Sequence, residues 1–351
     1  SIRIKSMNTP PSLQDIADEA GVSRMTVSRA LRNEKRCSPK TREHILRIAD
    51  KLGYRPNPLV VARMQQMRQR HPQQGVSLAI VQPGPSGLGL KNNENTRQWY
   101  EGMKERAEER GFRSELINLP LDQKEANAVI RALTYRNIDG LCFLPFPQWG
   151  WNMELDISPF SVGAIGFTLT DPKLHRVASD CRQGIILSMQ KLLESGYQRI
   201  GLILEKSTSS RIDHQHLEVY MRHQQFGLLP AALEPLLLEG DLSRPKVLSQ
   251  FLSWFSKYKP DVIISHLDHL PFLKESDISI PEDVGFISLD VQANDPDISG
   301  INQQPRRIGA CLVDRVVSRI YYNERGVPEQ PELSLVPPSW NPGGTIRTLS
   351  A

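Results

Sequence analysis

The feature that most constrains the fold is an alternation of short apolar runs with amphipathic helical segments from residue 76 onward. The runs predict strands at 76–81, 114–118, 140–144, 200–204, 236–238, 262–265 and 284–289. The segments between them predict helices at 97–110, 124–136, 183–194, 214–226, 245–258 and 308–322. Such alternation is typical of parallel sheets with helices on both faces. The pattern restarts near Arg176, which predicts two lobes, and small ligands bind such sheets at the carboxyl ends of the strands.

The charge of the chain is unevenly distributed along its length. Residues 1–75 contain 15 Lys and Arg against 6 Asp and Glu, a net charge of +9, although the whole chain carries only +4. The rest of the chain is therefore acidic, with a net charge of −5. A basic first segment on an acidic body favours a polyanionic partner, although many domains have basic faces without binding nucleic acid.

The basic first segment carries the start and stop signals of three short helices. Ser12 and Ser23 are suited to cap the first two helices, and Gly21 permits the left-handed backbone of a tight turn between them. Ser38 followed by Pro39 marks a third helix start. Three short helices with a glycine turn between the first two indicate a helix-turn-helix, a motif that binds DNA.

The second helix of such a motif enters the major groove by its N-terminus, so Arg24 and Met25 are expected at base edges. Arginine pairs bidentately with guanine, whereas methionine offers apolar contact. Arg29 adds charge near the phosphates. The hydroxyl-bearing candidates for phosphate contact are Ser12, Ser23, Thr26, Ser28, Ser38, Thr41 and Tyr54, and Leu13 and Arg32 complete the expected interface. For any single Ser or Thr, helix capping alone explains the residue equally well.

Five linked segments of this region resemble the DNA-binding domain of the lactose-repressor (LacI) family. They are SLQDIA at 12–17, GVS at 21–23, TVSRAL at 26–31, SPKTR at 38–42 and YRPNP at 54–58. Several motifs at matching spacing are far more specific than a single helix-turn-helix pattern. The alternative is a three-helix module that binds another protein.

The resemblance also implies a hinge helix from Asn57 onward, which forms on operator DNA and inserts an apolar side chain into the minor groove. This chain has Arg63 at the inserting position and Met64 one residue later. Met64 is suited to unstack bases, whereas Arg63 is suited to a narrow minor groove. Both alternatives remain open.

The body resembles the periplasmic-binding-protein-type effector domain of the same family. The resemblance lies in VSLAIV at 76–81, IDGL at 138–141, GYQRIG at 196–201 and IPEDV at 280–284. The fold class that it implies is an all-α helix-turn-helix head with three helices and a hinge helix, followed by an α/β two-lobed body of periplasmic-binding-protein type I with parallel sheets. The expected domains are a flexible tail at 1–11, the DNA-binding domain at 12–56, the hinge helix and linker at 57–75, and an effector-binding and dimerisation domain at 76–351.

The resemblance also implies an effector site. Asp180 and Asp290 match acidic positions that bind or support the ligand in sugar-responsive members of the family. His216 stands where such members carry an arginine, and His266 begins the segment that replaces their usual Asn-Asp pair. We expect Asp180, His216 and Asp290 to bind a small polyhydroxylated ligand, with Arg211 nearby. Four aromatic residues are candidates for stacking on a sugar, although a core role is favoured for each: Trp99, Tyr100, Trp149 and Trp151.

Other classes of site find little support in the sequence. Cys37, Cys142, Cys181 and Cys311 lie far apart, which argues against a zinc site or a disulfide framework and favours a reducing compartment. We expect no metal, cofactor, catalytic group or membrane segment, and a cytoplasmic location. The sequence thus predicts a non-enzymatic homodimeric repressor that binds a pseudo-palindromic operator and a small, sugar-like effector. The alternative is a sugar-binding or sugar-modifying body with an accessory nucleic-acid-binding head.

Overall fold

The computed structural model describes most of the chain. The described residues are 11, 13–31, 38–54, 77–84, 90, 93–240, 242–276, 278–292 and 295–349, excluding the side chains of residues 24, 25, 28, 29 and 274. The hinge segment predicted at 57–64 lies outside these ranges.

The basic head folds into three helices, as the sequence predicts. They are α1 (Leu13–Ala20), α2 (Arg24–Leu31) and α3 (Pro39–Lys51). Their apolar faces form one small core of Ile16, Ala17, Val27, Ala30, Ile45, Ile48 and Ala49. Gly21, with a φ of 63°, makes the turn between α1 and α2. The burial of this shared face holds three helices that would be unstable alone.

The body contains the remaining described elements. The helices are α4 (Glu94–Glu109), α5 (Gln123–Leu133), α6 (Cys181–Glu194), α7 (Lys206–Ser210), α8 (Gln215–Gln225), α9 (Arg244–Tyr258), α10 (Leu270–Glu275) and α11 (Pro305–Tyr322). The strands are β1 (Ser77–Pro83), β2 (Arg113–Leu119), β3 (Ile138–Phe143), β4 (Trp151–Asn152), β5 (Ser161–Ile165), β6 (Leu169–Asp171), β7 (Arg176–Ser179), β8 (Ile200–Glu205), β9 (Leu236–Leu238), β10 (Val262–Ser265), β11 (Gly285–Ser288), β12 (Gly300–Asn302), β13 (Leu333–Val336) and β14 (Ser339–Asn341).

The strands form two six-stranded sheets, one in each lobe, among the described residues. The N lobe has the order β13-β7-β5-β3-β1-β2 and the C lobe the order β14-β12-β11-β10-β8-β9. Neighbouring strands are parallel except β12 and β14, which are antiparallel. A separate parallel pair joins β4 to β6. The two-lobed α/β body with parallel sheets is thus confirmed.

The chain crosses between the two lobes three times. The first crossing leads from β7 through Asp180 into α6, which packs in the C-lobe core. The second leads from β12 through Gln303 and Gln304 into α11, which packs in the N-lobe core. The third joins β13 directly to β14 through residues 337–338. Each crossing leaves a strand at its carboxyl end, so these ends of both sheets lie at the junction between the lobes.

Several elements differ from the sequence-based predictions. Strands β5 and β7 were not predicted: β5 (SVGAI) is short and rich in small residues, and β7 (RVAS) is only four residues long. Helix α8 begins at Gln215 rather than at His214, because His214 has a left-handed backbone with a φ of 55°. Helix α4 begins at Glu94, three residues before the predicted start, because Asn93 caps it.

Helices α4 and α11 pack at very short range through two glycines. A Cβ atom on Gly309 would lie 2.2 Å from the carbonyl oxygen of Trp99, and one on Gly102 would lie 2.0 Å from that of Arg306. These distances leave no room for a methyl group, because backbone atoms occupy the space. The approach of α11 to the N lobe therefore depends on both glycines.

We expect Gly309→Ala to destabilise the N lobe by about 1–3 kcal/mol, because the two helices must separate to admit the methyl group. Gly184→Ala in α6 is the matched control, since its Cβ would meet nothing closer than 3.5 Å and alanine favours a helix by up to about 1 kcal/mol. Urea unfolding followed by tryptophan fluorescence measures both. If Gly309→Ala unfolded at the same urea concentration as the parent protein, the steric argument would be contradicted.

Candidate functional site

The caps at the starts of α2 and α3 are formed by the residues that the sequence singles out. The Ser23 hydroxyl accepts a hydrogen bond from the Thr26 amide at 3.1 Å, and the two hydroxyl oxygens lie 2.8 Å apart. Ser38 and Thr41 repeat this arrangement at 3.1 and 2.7 Å. Capping, one of the two roles left open for these hydroxyls, is therefore observed at Ser23 and Ser38.

The N-terminus of α2 is electrostatically suited to an anion. The helix begins at Arg24, and its first turn contains no acidic residue. The unpaired amides and the helix dipole place partial positive charge at this end, beside the exposed Ser23. A phosphate or an electronegative base edge would meet favourable charge there.

The other expected DNA contacts divide into two groups. Leu13 and Tyr54 are half-buried and pack against the head core, which gives them a structural role. Burial raises the pKa of Tyr54, so its hydroxyl keeps its proton. Ser12, Arg32, Asn57, Arg63 and Met64 lie outside the described residues, as do the side chains of Arg24, Met25, Ser28 and Arg29.

In the C lobe, the carboxyl edge of the sheet brings together residues that are distant in sequence. Strands β8, β10 and β11 are neighbours in one parallel sheet, so their ends meet at one edge. His266 directly follows β10, and Asp290 lies two residues beyond β11. His216, in the first turn of α8, contacts His266 with 5.9 Å between ring centroids. The structure thus joins two predicted effector residues, His216 and Asp290, through His266.

Asp290 is a strongly stabilised carboxylate. Its Oδ1 accepts hydrogen bonds from the Leu267 amide and the Ser288 hydroxyl, both at 2.8 Å, and lies 3.6 Å from His266 Nδ1. The last distance describes an ion pair rather than a formed hydrogen bond. Burial alone would raise the pKa of Asp290, but the charge of His266 and these hydrogen bonds lower it to about 2. Asp290 is ionised at neutral pH.

The pKa values of the two histidines are shifted in opposite directions. Burial would lower the pKa of His266, but the Asp290 carboxylate more than offsets burial and raises it. His216 is only 2 % exposed. Its burial, together with the charge on His266, lowers its pKa to about 3. Asp290 therefore favours the protonated form of His266, whereas His216 is a neutral imidazole at neutral pH.

Both rings keep a buried nitrogen without a partner in the part of the chain that the structure describes. These atoms are Nδ1 of His216 and Nε2 of His266. Buried polar atoms normally have hydrogen-bond partners, and the exceptions often mark sites that a ligand completes. The sequence analysis named His266 only as part of a departure from the family pattern. Its position directly after a predicted parallel strand was the signal that could have identified it as a site residue.

The remaining expected effector residues stand apart from this cluster. Asp180 caps α6, since its Oδ1 accepts the Gln183 amide hydrogen bond at 2.9 Å. Arg211 follows α7 at the C-lobe edge, and burial lowers its pKa. No contact observed among the described residues joins Asp180 or Arg211 to His216. Their binding of an effector stays a prediction.

A second histidine cluster lies deeper beneath the same edge. The Ser265 hydroxyl contacts His269 Nδ1 at 2.6 Å, and His269 Nε2 lies 3.3 Å from Glu205. This order of groups is that of a hydrolytic triad. Ser265 is fully buried, however, and donates its proton to the Ile203 carbonyl at 2.9 Å. The arrangement therefore ties β8 to β10 rather than exposing a nucleophile.

The aromatic candidates mostly serve the core. Trp99 and Tyr100 pack in the N-lobe core beneath α11, and Trp151 stacks on Phe146 with 5.7 Å between centroids. Trp149 is 51 % exposed. The structural role favoured for three of the four is therefore observed.

A cavity of about 420 Å³ lies between the lobes, beside the crossings. Residues of α4, the segment after Asp290, and the second and third crossings line it: Glu94, Asn95, Gln98, Val291, Gln292, Asn302, Gln304, Pro305, Arg306, Arg307 and Ser339. The four expected effector residues are not in its wall, so it borders their edge without containing them. Within the described ranges, no group of His, Cys, Asp and Glu is arranged to hold a metal ion. No helix in that part of the chain is long and apolar enough to cross a membrane.

Comparisons with known proteins agree with this architecture. The family model for bacterial regulatory proteins of the lacI family matches residues 12–57, and the model for a periplasmic binding protein-like domain matches residues 189–346. The chain is 22 % identical to the HTH-type transcriptional repressor PurR of Haemophilus influenzae (strain PittEE), over 93 % of this chain and 96 % of that protein. It is 25 % identical to catabolite control protein A of Staphylococcus epidermidis, over 92 % and 96 % of the two chains.

Solved structures show the same fold. The lac repressor dimer bound to operator and the anti-inducer ONPF superposes with a TM-score of 0.56 at 20 % identity, covering 97 % of this chain and 100 % of that one. The complex of the transcriptional regulator CelR with cellobiose superposes with a TM-score of 0.54 at 19 % identity, covering 94 % and 98 %. The chain therefore carries a DNA-binding domain of the lacI family of bacterial regulatory proteins followed by a periplasmic binding protein-like domain, and it is a LacI-type DNA-binding transcription regulator.

Proposed function

We propose that the protein is a repressor that binds a pseudo-palindromic operator as a homodimer and that a small polar effector in the body changes its operator affinity. The observation that carries this proposal is the capped, acid-free N-terminus of α2 on a segment with a net charge of +9. One helix-turn-helix covers only a half-site, so two copies are needed for a full site. The lac repressor, which shares the fold, is a dimer on its operator.

The proposed organisation keeps the divisions expected from the sequence. Residues 12–56 bind DNA, 57–75 link and couple, and 76–351 bind the effector and dimerise. We place the protein in the cytoplasm, where DNA and reduced cysteines are found. Burial raises the pKa of the Cys142 thiol to about 12, which keeps it protonated and unreactive.

The effector is proposed to bind at the C-lobe edge through Asp180, Arg211, His216 and Asp290. CelR binds cellobiose in its solved complex, and a catabolite control protein of the same fold holds glucose. A ligand that contacts both lobes would favour one angle between them, because its contacts are best formed at that angle. The hinge segments of a dimer would then move together or apart, with a coupling of about 1–3 kcal/mol between ligand and operator.

An enzyme-like body is the less favoured alternative. The one triad-like arrangement in the described part of the body has a fully buried serine whose proton is already donated to a carbonyl. The Ser265 oxygen has no exposed surface that a substrate could approach. The proposal is therefore a binding function for the body.

We expect Arg24→Ala to weaken operator binding by about 1–3 kcal/mol and to relax the preference at one base pair, because a bidentate contact to a base is lost. Arg29→Ala is the matched control: it removes the same charge from the same helix and should weaken binding to all sequences about equally. Competition between the operator and single-base variants measures both. An Arg24→Ala protein that loses affinity equally for every variant would contradict the assignment of Arg24 to base recognition.

The neutral state of His216 makes the stability of the C lobe dependent on pH. A histidine in an unfolded chain titrates near pH 6.5, whereas the folded pKa of His216 is about 3. Between these values the unfolded state binds more protons, so the stabilisation is complete above about pH 6.5 and is lost as the pH falls. In the window of about pH 4.5–6, His266, with its raised pKa, is protonated in both states, and Asp290 is ionised in both.

As the pH falls across that window, we therefore expect the free energy of unfolding to decrease in the parent protein faster than in His216→Asn. The difference between the two slopes should be up to about 1.4 kcal/mol per pH unit. Urea unfolding at several pH values measures the two slopes, and His223→Asn on the same helix is the control. Equal slopes in all three proteins would show that His216 is not held neutral.

A further inference from the structure

We propose that the effector carries a carboxylate or phosphate group and that Arg211 and His266 bind this group. The inference rests on the proposed effector function and specifies the chemical class of the ligand. It assigns a binding role to His266 and a charge-recognition role to Arg211.

The first observation concerns Arg211. Eight other arginines that the structure describes as half-buried each have an acceptor: Arg42, Arg106, Arg110, Arg176, Arg182, Arg315, Arg319 and Arg325. Among the described residues, Arg211 has neither a carboxylate nor a carbonyl acceptor within reach. Desolvation of a guanidinium without a counter-charge is unfavourable, and an anionic ligand would remove that penalty.

The second observation concerns His266. A protonated imidazole has two N–H donors, and the Asp290 carboxylate faces only Nδ1. The Nε2 atom is buried and has no partner among the described residues. A charged donor of this kind forms its strongest hydrogen bond with an ionised oxygen. The protonated ring is therefore suited to a second acceptor besides Asp290, supplied by a ligand.

The third observation is the placement of these groups. Arg211 is reached from β8 through α7, whereas His266 follows β10, and the two strands are neighbours about 4.8 Å apart. Both residues stand at the carboxyl edge where ligands of parallel sheets bind. The ring of the buried His216 contacts that of His266, and its unpartnered Nδ1 suits a hydroxyl of the same ligand.

Asp290 fits this arrangement better as a counter-ion than as the main sugar ligand. Its Oδ1 already accepts from the Leu267 amide and the Ser288 hydroxyl and faces His266. The other carboxylate oxygen, Oδ2, is left for a ligand hydroxyl. Other carboxylates besides Asp290 also act on His266, whereas Arg211 has no counter-charge among the described residues. An anionic group of the ligand would supply that counter-charge.

The test compares matched neutral and anionic probes on the full-length protein. Isothermal calorimetry at fixed ionic strength would use glucose, gluconate, glucuronate, glucose 6-phosphate and inorganic phosphate. At least one anionic probe should bind about tenfold or more tightly than glucose, as expected for a charge-assisted contact. Preference for the acids or for the phosphates distinguishes a carboxylate from a phosphate ligand.

Two variants test whether Arg211 and His266 bind the anionic group of the ligand. Arg211→Gln and His266→Gln should each lower the affinity for the preferred anion about tenfold or more and lower the weak affinity for glucose much less. Arg222→Gln, an exposed arginine of the same lobe, is the control and should change neither. Glucose binding as tightly as every anion, binding of none of the anions, or anion affinity unchanged in Arg211→Gln would overturn the proposal. Operator binding is measured on the same samples. If the ligand proposal alone is wrong, the protein still binds operator DNA; if the proposed function is wrong, it does not.

Discussion

The three crossings between the two parallel sheets are the constraint on which the rest of the body depends. Each crossing leaves a strand at its carboxyl end, so the two ligand-binding edges lie at one junction. Two crossings lead into helices that pack in the opposite lobe, and α11 reaches its place only because Gly102 and Gly309 permit a very close approach to α4. Three short connections join the two lobes. In the proposed function, a ligand that changes the angle between the lobes acts through these connections on the DNA-binding head.

The charge pattern at the C-lobe edge gives this junction its chemistry. Asp290 is stabilised as a carboxylate and raises the pKa of His266, whereas burial and the charge of His266 keep His216 neutral. Such an arrangement is costly to bury unless a ligand completes it, because two ring nitrogens and one guanidinium have no partners in the described structure. Sugar-responsive members of the family are expected to carry an arginine where His216 stands and an Asn-Asp pair where His266 begins. The two histidines therefore change the hydrogen-bonding groups at this edge within the same architecture.

The sequence predicted the head and the fold class because both depend on local signals. Ser23, Gly21 and Ser38 act on their immediate neighbours, and the helices begin where these residues place them. Strands β1, β8 and β10 were predicted because buried parallel strands are continuous apolar runs. Strands β5 and β7 were missed because small residues and short length give no such run.

The candidate site was only partly predictable, for a different physical reason. His216 and Asp290 were named from a family pattern, but His266 is what joins them, because it pairs with Asp290 and its ring contacts that of His216. These contacts arise from the order of the strands in the sheet, which cannot be predicted from any local segment of the sequence. That Arg211 has no partner among the described residues is likewise visible only in the folded chain.

The most direct test of the account is selection of DNA fragments by the full-length protein from a random pool. The account predicts enrichment of an inverted repeat whose half-sites lie about one helical turn apart. It also predicts that binding to the enriched fragment weakens steeply with salt. Enrichment of no sequence, or of single half-sites bound equally well by the isolated 1–75 segment, would contradict a dimeric operator-binding regulator.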